Sequence, residues 1–485
     1  MVVASLLGKP STATITGWRG SRLQADRGYT AMRAPYTIYF LASIANATGD
    51  SPSGVWMRFS RRTGFLFLFA FVLLLELGCG DQYRPVANPI IGPGGQPQTT
   101  HYAYVVNYNP SGNGSTTQID VSGDSVTSLQ TTGLGSNFES FFSTSAGGLF
   151  VSNGNNDTVS EFAVSQTGVV NTVNLPIGSH PIALTSTQAG VMYVLNSKPN
   201  SFCLYSGSVS TISTTTLAVS NTTCLAKLLS PPSTFSYATN PVAMVQPANT
   251  VRLFIADEAS SSVWVYDPSS QSIPSIFQSA AGIGLNPVFI TASADGAYIF
   301  VVAEGDGVNP GTLNVINAND YSMVGSVPLG VKPAFAYFDP NLVRLYVTNS
   351  GSNTVSVFDA SNINVHATPA IPLLATVNVG TAPVSVTALP NGTRFFVANS
   401  GSSNVTDLSA TSFAVLNTIA LPVGSNPVWI ASEPTSSKIY VANQASTTII
   451  QTVNDAVAVS VPAPAQNPGC TGSCALQQPL MIITN

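Results

Sequence analysis

Charge is what this chain has least of: only 8% of its 485 residues are Asp, Glu, Lys or Arg, while 44% are hydrophobic. Residues 79–485 hold 8 basic and 18 acidic side chains, a net charge of −10, with the basic ones scattered. That balance excludes the basic patch a nucleic-acid partner requires. Histidine is scarcer still. His101 opens a strand, His180 precedes Pro181 where other units carry Asn-Pro, and His366 falls in a loop, so no two have metal-ligand spacing and none belongs to a catalytic constellation. No C-x-x-C, haem-attachment C-x-x-C-H or nucleophile elbow G-x-S-x-G is present in a fitting context. No stretch has helical amphipathic spacing, and the longest apolar run, Phe65 to Leu75, is short of the roughly 20 residues that span a bilayer.

What is present in excess is repetition. Tyr346-Val347-Thr348-Asn349 recurs in degraded form as Tyr104-Val105-Val106-Asn107, Phe150-Val151-Ser152-Asn153, Tyr193-Val194-Leu195-Asn196, Phe254-Ile255-Ala256-Asp257, Phe300-Val301-Val302-Ala303, Phe396-Val397-Ala398-Asn399 and Tyr440-Val441-Ala442-Asn443. The mean interval is roughly 48 residues, the length of a four-stranded supersecondary unit. Within each unit Pro-Val or a near match opens an apolar strand, as in Asn286-Pro287-Val288 and Asn426-Pro427-Val428. A turn of the Asp295-Gly296 or Asn391-Gly392 kind follows, whose residues tolerate positive φ. Next come the Tyr-Val-x-Asn strand, a Ser/Gly/Asn loop, an alternating strand such as Thr354 to Asp359, and a last strand ending in a glycine turn at Gly380. Sheets of four short strands with no helices to cover them must cover one another.

These units resemble the YVTN family of β-propeller repeats, which are similar in pattern to bacterial lactonase-like propellers. The likeness spans Tyr102 to Asn485 and implies an all-β propeller of four-stranded antiparallel blades, eight by count of markers, with seven as the alternative. The first unit lacks its Pro-Val strand, whereas Gln478 to Thr484 has that pattern with nothing after it. The C-terminal strand is therefore expected to complete the first blade and close the ring, removing exposed edges. The resemblance informs function less than fold.

Residues 1–56 show neither repeat nor periodicity and read as a non-native or disordered extension. Met57 opens an export signal over 57–78: Arg58, Arg61 and Arg62, then the apolar run, then Gly78-Cys79. Glu76-Leu77-Gly78-Cys79 resembles a lipobox, apart from Glu76 where leucine is usual, and implies lipidation of Cys79. Ser60-Arg61-Arg62 before Phe65-Leu66 is one residue too long for a twin-arginine signal. Residues 79–100, rich in Pro, Gly and Gln, read as a tether, and 101–485 as the propeller. Four cysteines remain, and an oxidising compartment predicts the pairs Cys203–Cys224 and Cys470–Cys474. The first pair lies in the longest interval, Asn196 to Asp257, where it is expected to staple an inserted hairpin.

Candidate site residues are few. The strand-end amides Asn107, Asn153, Asn196, Asn349, Asn399 and Asn443 could line a polar ligand site. Their recurrence in nearly every unit favours a structural role, each bonding back to its own loop backbone. The fifth unit breaks symmetry with Glu304-Gly305-Asp306-Gly307, a weak calcium candidate that lacks the EF-hand pattern; Asp257-Glu258 is a second acidic departure. Phe138, Phe141, Phe142 and Trp429 are aromatics of the core or of a contact surface. No cofactor is implied. The expectation is an exported, lipid-anchored, monomeric periplasmic, outer-membrane or cell-surface binding module for a protein, peptide or glycan, touching the membrane through its anchor alone. The alternative is a lactonase-like hydrolase or quinone-dependent oxidoreductase with its site at the channel mouth. Converging charges there would favour the enzyme, and a ring of Ser, Thr and Asn the scaffold.

Overall fold

The computed structural model describes residues 102–127, 138–143, 148–163, 169, 171–185, 190–229, 234–278, 282–467 and 474–484, with the backbone of 41–42 and 55–56. The chain divides into Met1–Gly92 and Pro93–Asn485. In the first unit the described residues form one antiparallel pair, Leu41–Ala42 with Val55–Trp56. The rest of 1–56, the signal at 57–78, Cys79 and the tether at 79–100 lie outside the described residues. Among the described residues no helix is long and apolar enough to cross a membrane.

The second unit is an eight-bladed β-propeller, each blade a four-stranded antiparallel sheet. In blade six the strands run outward as Pro333–Asp339, Arg344–Asn349, Thr354–Asp359 and Leu373–Asn378. Blade one takes its innermost strand, Gln478–Thr484, from the C-terminal end and pairs it with Tyr102–Tyr108. The expected closure is therefore present, and the seven-bladed alternative falls. Innermost strands of the other blades begin at Phe138, Pro181, Pro241, Pro287, Pro383 and Trp429, for blades two to five, seven and eight.

Burial explains the sequence pattern of each strand. Second strands are covered on both faces, as Arg344–Asn349 shows with all but its first residue buried, and so read as continuous apolar runs. Outer strands such as Leu373–Asn378 are mostly exposed or half-buried. Eight apolar cores fill the eight junctions between blades. Tyr346 of blade six packs on Phe395 of blade seven with ring centroids 4.6 Å apart, and Tyr440 of blade eight joins Val105 of blade one. Each fully buried aromatic or aliphatic side chain contributes about 1.5–3 kcal/mol. Stability thus resides between blades, as expected of a repeat array.

Innermost strands share a β-bulge. Pro333 pairs with Asn349 but Phe335 pairs with Thr348, which leaves Ala334 unmatched. The same shift follows Pro181, Pro241, Pro287 and Pro383. A bulge at this point bends the strand and re-aims its side chains.

Candidate functional site

Antiparallel strands put the turns of each blade on two faces. The loop face carries the second-to-third strand loops and the connections between blades; the turn face carries the other two turns of each blade.

The strand-end asparagines sit just beneath the loop face and are fully buried. Asn349 Nδ2 donates to Thr354 Oγ1 at 3.1 Å and Ser356 Oγ at 3.0 Å on the third strand, while its Oδ1 accepts from Gly330 N at 3.0 Å. Asn107, Asn153, Asn196, Asn399 and Asn443 make the same sideways bonds to Thr117, Thr158 and Ser160, Ser208 and Ser210, Asn404 and Thr406, and Ser446 and Thr448. The expected bond back to the loop's own backbone is replaced by a side-chain ladder, because the neighbouring strand presents hydroxyls in register. The glycine turn is needed here: a Cβ on Gly330 would lie 2.7 Å from Asn349 Cβ. Asp257 takes the Asn place in blade four, buried and accepting from Thr239 N and Asn240 N; burial pushes its carboxyl up from the usual range.

Loops of neighbouring blades are buttoned together. The residue before the strand-opening proline has positive φ at His180, Asn286, Lys332, Ala382 and Asn426, so His180 is the turn variant its position suggested. In four of these its N–H is capped from the preceding blade: by Asp157 Oδ1 at His180 (2.8 Å), Ser261 Oγ at Asn286 (3.2 Å), Asn353 Oδ1 at Ala382 (2.9 Å) and Ser403 Oγ at Asn426 (3.4 Å). Burial, followed by the charge of Lys198, lowers the His180 pKa.

Around the channel the second residue after the proline is Ala183, Ala243, Phe289, Phe335, Ser385 and, counted from Pro427 and Pro479, Trp429 and Met481. Phe335 lies 4.7 Å from Phe289 and meets Trp429 edge-on at 5.2 Å, reaching from blade six to blade eight over the buried Ser385. Trp429 is half-buried in this cluster; the side chains of Phe138, Phe141 and Phe142 lie outside the described residues. None of the named residues at this level is charged.

Symmetry breaks most in blade three. Its second-to-third strand loop, 197–207, raises Phe202, Leu204 and Tyr205 into solvent. A disulfide joins Cys203 in this loop to Cys224, the last residue of the fourth strand. The expected staple therefore exists but braces the loop rather than the inserted hairpin, which follows as Ala226–Leu229 paired with Thr234–Tyr237. Asn200 Oδ1 accepts from Phe202 N and Cys203 N, at 2.9 and 2.7 Å, and so sets the loop's turn. On the hairpin Phe235 stacks on Tyr237 at 5.9 Å, and Tyr205 reaches Tyr237 at 5.8 Å. Lengthening of this interval was the only sequence signal of these residues; nothing in it marked the individual aromatics.

No family model matches this chain, and no curated protein does. Among solved structures it resembles the dihydro-heme d1 dehydrogenase NirN in complex with DHE, at a TM-score of 0.60 and 10% identity over 81% of this chain and 76% of that one. A protein assigned as a 6-phosphogluconolactonase from Bacteroides fragilis aligns at a TM-score of 0.48 and 15% identity, over 69% and 99%. Hydrazine synthase of Kuenenia stuttgartiensis aligns at 0.44 and 14%, over 72% and 94%. The likeness to the first of these, at 10% identity, bears on the fold alone.

The acidic departure in blade five is a self-contained turn. Asp306 accepts from Val308 N, Asn309 N and Asn309 Nδ2 at 2.7–2.9 Å, and these bonds hold its carboxyl below the usual range. Glu304 and Asp306 gain no third ligand, since no group of three His, Cys, Asp or Glu that could hold a metal occurs among the described residues. His366 is exposed and His101 lies outside the described residues. Cys474 is disulfide-bonded; Cys470 lies outside them. A shallow cavity of about 360 Å³ on the loop face, between Gly401–Asn404 and Leu421–Gly424, is lined by Ser, Thr, Gly and aliphatic groups.

The turn face holds the charged network. Arg394 of blade seven donates to Asp407 Oδ2 at 2.7 Å, to Asp455 Oδ1 of blade eight at 2.9 Å and to Thr452 O. Lys438 of blade eight reaches Asp124 and Val121 O of blade one, each at 2.5 Å. Arg344 donates to Ala410 O of the next blade. Burial pushes the Asp407 carboxyl up to about 6 against the opposing pull of Arg394. These cations are inter-blade staples that sequence inspection did not single out.

Proposed function

We propose that this chain is a monomeric, exported propeller of the YVTN repeat kind, lipidated at Cys79, that binds a protein, peptide or glycan through its loop face at a bacterial cell envelope. The observation that carries this reading is the blade-three insertion: a disulfide-braced departure from symmetry that exposes apolar side chains on one face. Exposed apolar clusters of this sort mark interaction sites.

Site-specific photocrosslinking in the producing cell tests the reading. A crosslinker at Tyr205 captures a partner and one at Val453, on the turn face, does not. Equal capture from both faces, or from neither, overturns it. Lipid-precursor labelling that persists in Cys79→Ser would remove the anchor. A thermal shift with a sugar lactone or quinone cofactor, followed by turnover, would replace the binding module by the enzyme reading.

A further inference from the structure

Resting on the loop face as the binding surface, we propose that the blade-three insertion is a carbohydrate platform, on which Tyr205, Tyr237 and Phe235 stack the sugar faces of an uncharged polysaccharide. Phe235 and Tyr237 are two apart on one strand and therefore share a face; their rings are 22° from parallel. Tyr205 extends the row from the neighbouring loop, its ring tilted 51° to that of Tyr237, with successive centroids 5.8 and 5.9 Å apart, comparable to the advance of one sugar in an extended chain. Tyr205 is 69% and Phe235 58% exposed, with Tyr237 half-buried between them, so the two ends of the platform are open to a ligand that lies across it.

The row is built in advance of binding. The disulfide and the Asn200 turn hold the loop, and at the two ends of the hairpin Leu225 N donates to Gly207 O while Gly207 N donates to Ala238 O. A preformed platform spares the ligand the cost of ordering it.

Chemistry selects the occupant. The described residues of the hairpin and loop carry two charges, Lys198 and Lys227. The Lys227 ammonium donates to Pro274 O at 2.7 Å, and no acidic group is present. An anionic ligand would be met by little positive charge, and a cationic one by no carboxylate. Among the described residues no hydrogen bond occupies the phenol groups of Tyr205 and Tyr237, which leaves them for sugar hydroxyls. Phe202, Leu204 and Leu228 complete the patch. Six side chains fall well short of the roughly 20–30 residues a side of a stable protein interface, whereas aromatic rings with polar tips suit the apolar ring faces and hydroxyl rims of sugars.

Affinity electrophoresis of the full chain tests this, in native gels cast with mixed-linkage glucan, galactomannan or hydroxyethyl cellulose. Wild-type protein is retarded by at least one of them. Added salt leaves the retardation intact, because screening acts on charge. Tyr205→Ala and Phe235→Ala each weaken it about tenfold, the scale of one lost stacking contact; Phe235→Trp preserves it. Unchanged thermal midpoints verify that these exposed substitutions leave the fold alone. Absence of retardation in all three gels, retention by the Tyr205→Ala/Phe235→Ala double variant, or capture of neutral phosphatidylcholine vesicles by the patch overturns the proposal. A protein crosslinked at Tyr205 without retardation would sink the carbohydrate platform and leave the binding face standing; neither signal would sink both.

Discussion

The two faces of this propeller are made from the same repeat and differ in kind. On the turn face Arg394, Lys438 and Arg344 each cross to the next blade, and carboxylates such as Asp120, Asp267 and Asp359 close the turns. Charge is spent there on holding the ring together. On the loop face Asn ladders tie second strands to third strands within a blade and capped left-handed residues join one blade to the next, while Ile177, Phe202, Tyr205 and Val423 stand out in solvent. Both faces expose aliphatic side chains, Val453 on the turn face among them, but the exposed aromatics Phe202, Tyr205 and Phe235 all stand on the loop face.

Substitutions can break that comparison. Arg394→Ala leaves the fully buried Asp407 beside Asp455 without its cation, and should cost about 3–5 kcal/mol in urea unfolding with ligand capture at the loop face unchanged. Cys203→Ser opens a link spanning 21 residues, for about 3 kcal/mol; its signature is loss of capture at Tyr205 along with stability.

The Asp407 carboxyl, at about 6 in the folded chain against roughly 4 unfolded, makes the native state hold the extra proton. Its contribution is thus fully present below about pH 4 and is lost as pH rises through about 6, a fall on the order of 3 kcal/mol. Asp407→Asn should remove that part of the pH dependence. Asn349→Ala should cost about 1 kcal/mol more than Asn399→Ala, since Asn349 Oδ1 accepts from Gly330 whereas Asn399 Oδ1 has no partner. The smallest effect is a gain: Ala382 has φ of 50°, and Ala382→Asn should stabilise by about 0.5–1 kcal/mol. Equal losses for the two asparagines would mean that the ladder, not the extra acceptor bond, sets their worth.

Much of this was legible beforehand. Tyr346-Val347-Thr348-Asn349 and its copies marked the second strands, Pro-Val marked the innermost ones, and the unmatched Gln478–Thr484 strand announced ring closure. Each of these is local chemistry repeated at fixed spacing. The Asn bonds were misplaced because their acceptors lie on the neighbouring strand, five and seven residues on at Asn153, Asn349 and Asn399 but as far as 14 at Asn196, in a register that the intervening loop sets. Tyr205, Phe235 and Tyr237 went unmarked because an inserted segment has no repeat against which a departure can be measured.

By itself the sequence determined a closed array of eight four-stranded sheets, because apolar strands without helices can bury their faces only on one another. It also determined that Cys203 and Cys224 fall together, within the longest interval. Only the tertiary structure decided that Tyr205 shares one surface with Phe235 and Tyr237 of the hairpin, that Arg394 serves the next blade, and that Phe335 reaches over Ser385 to Trp429. Those contacts depend on how blades are placed around the axis, and side-chain identity along a single strand carries no record of its neighbour.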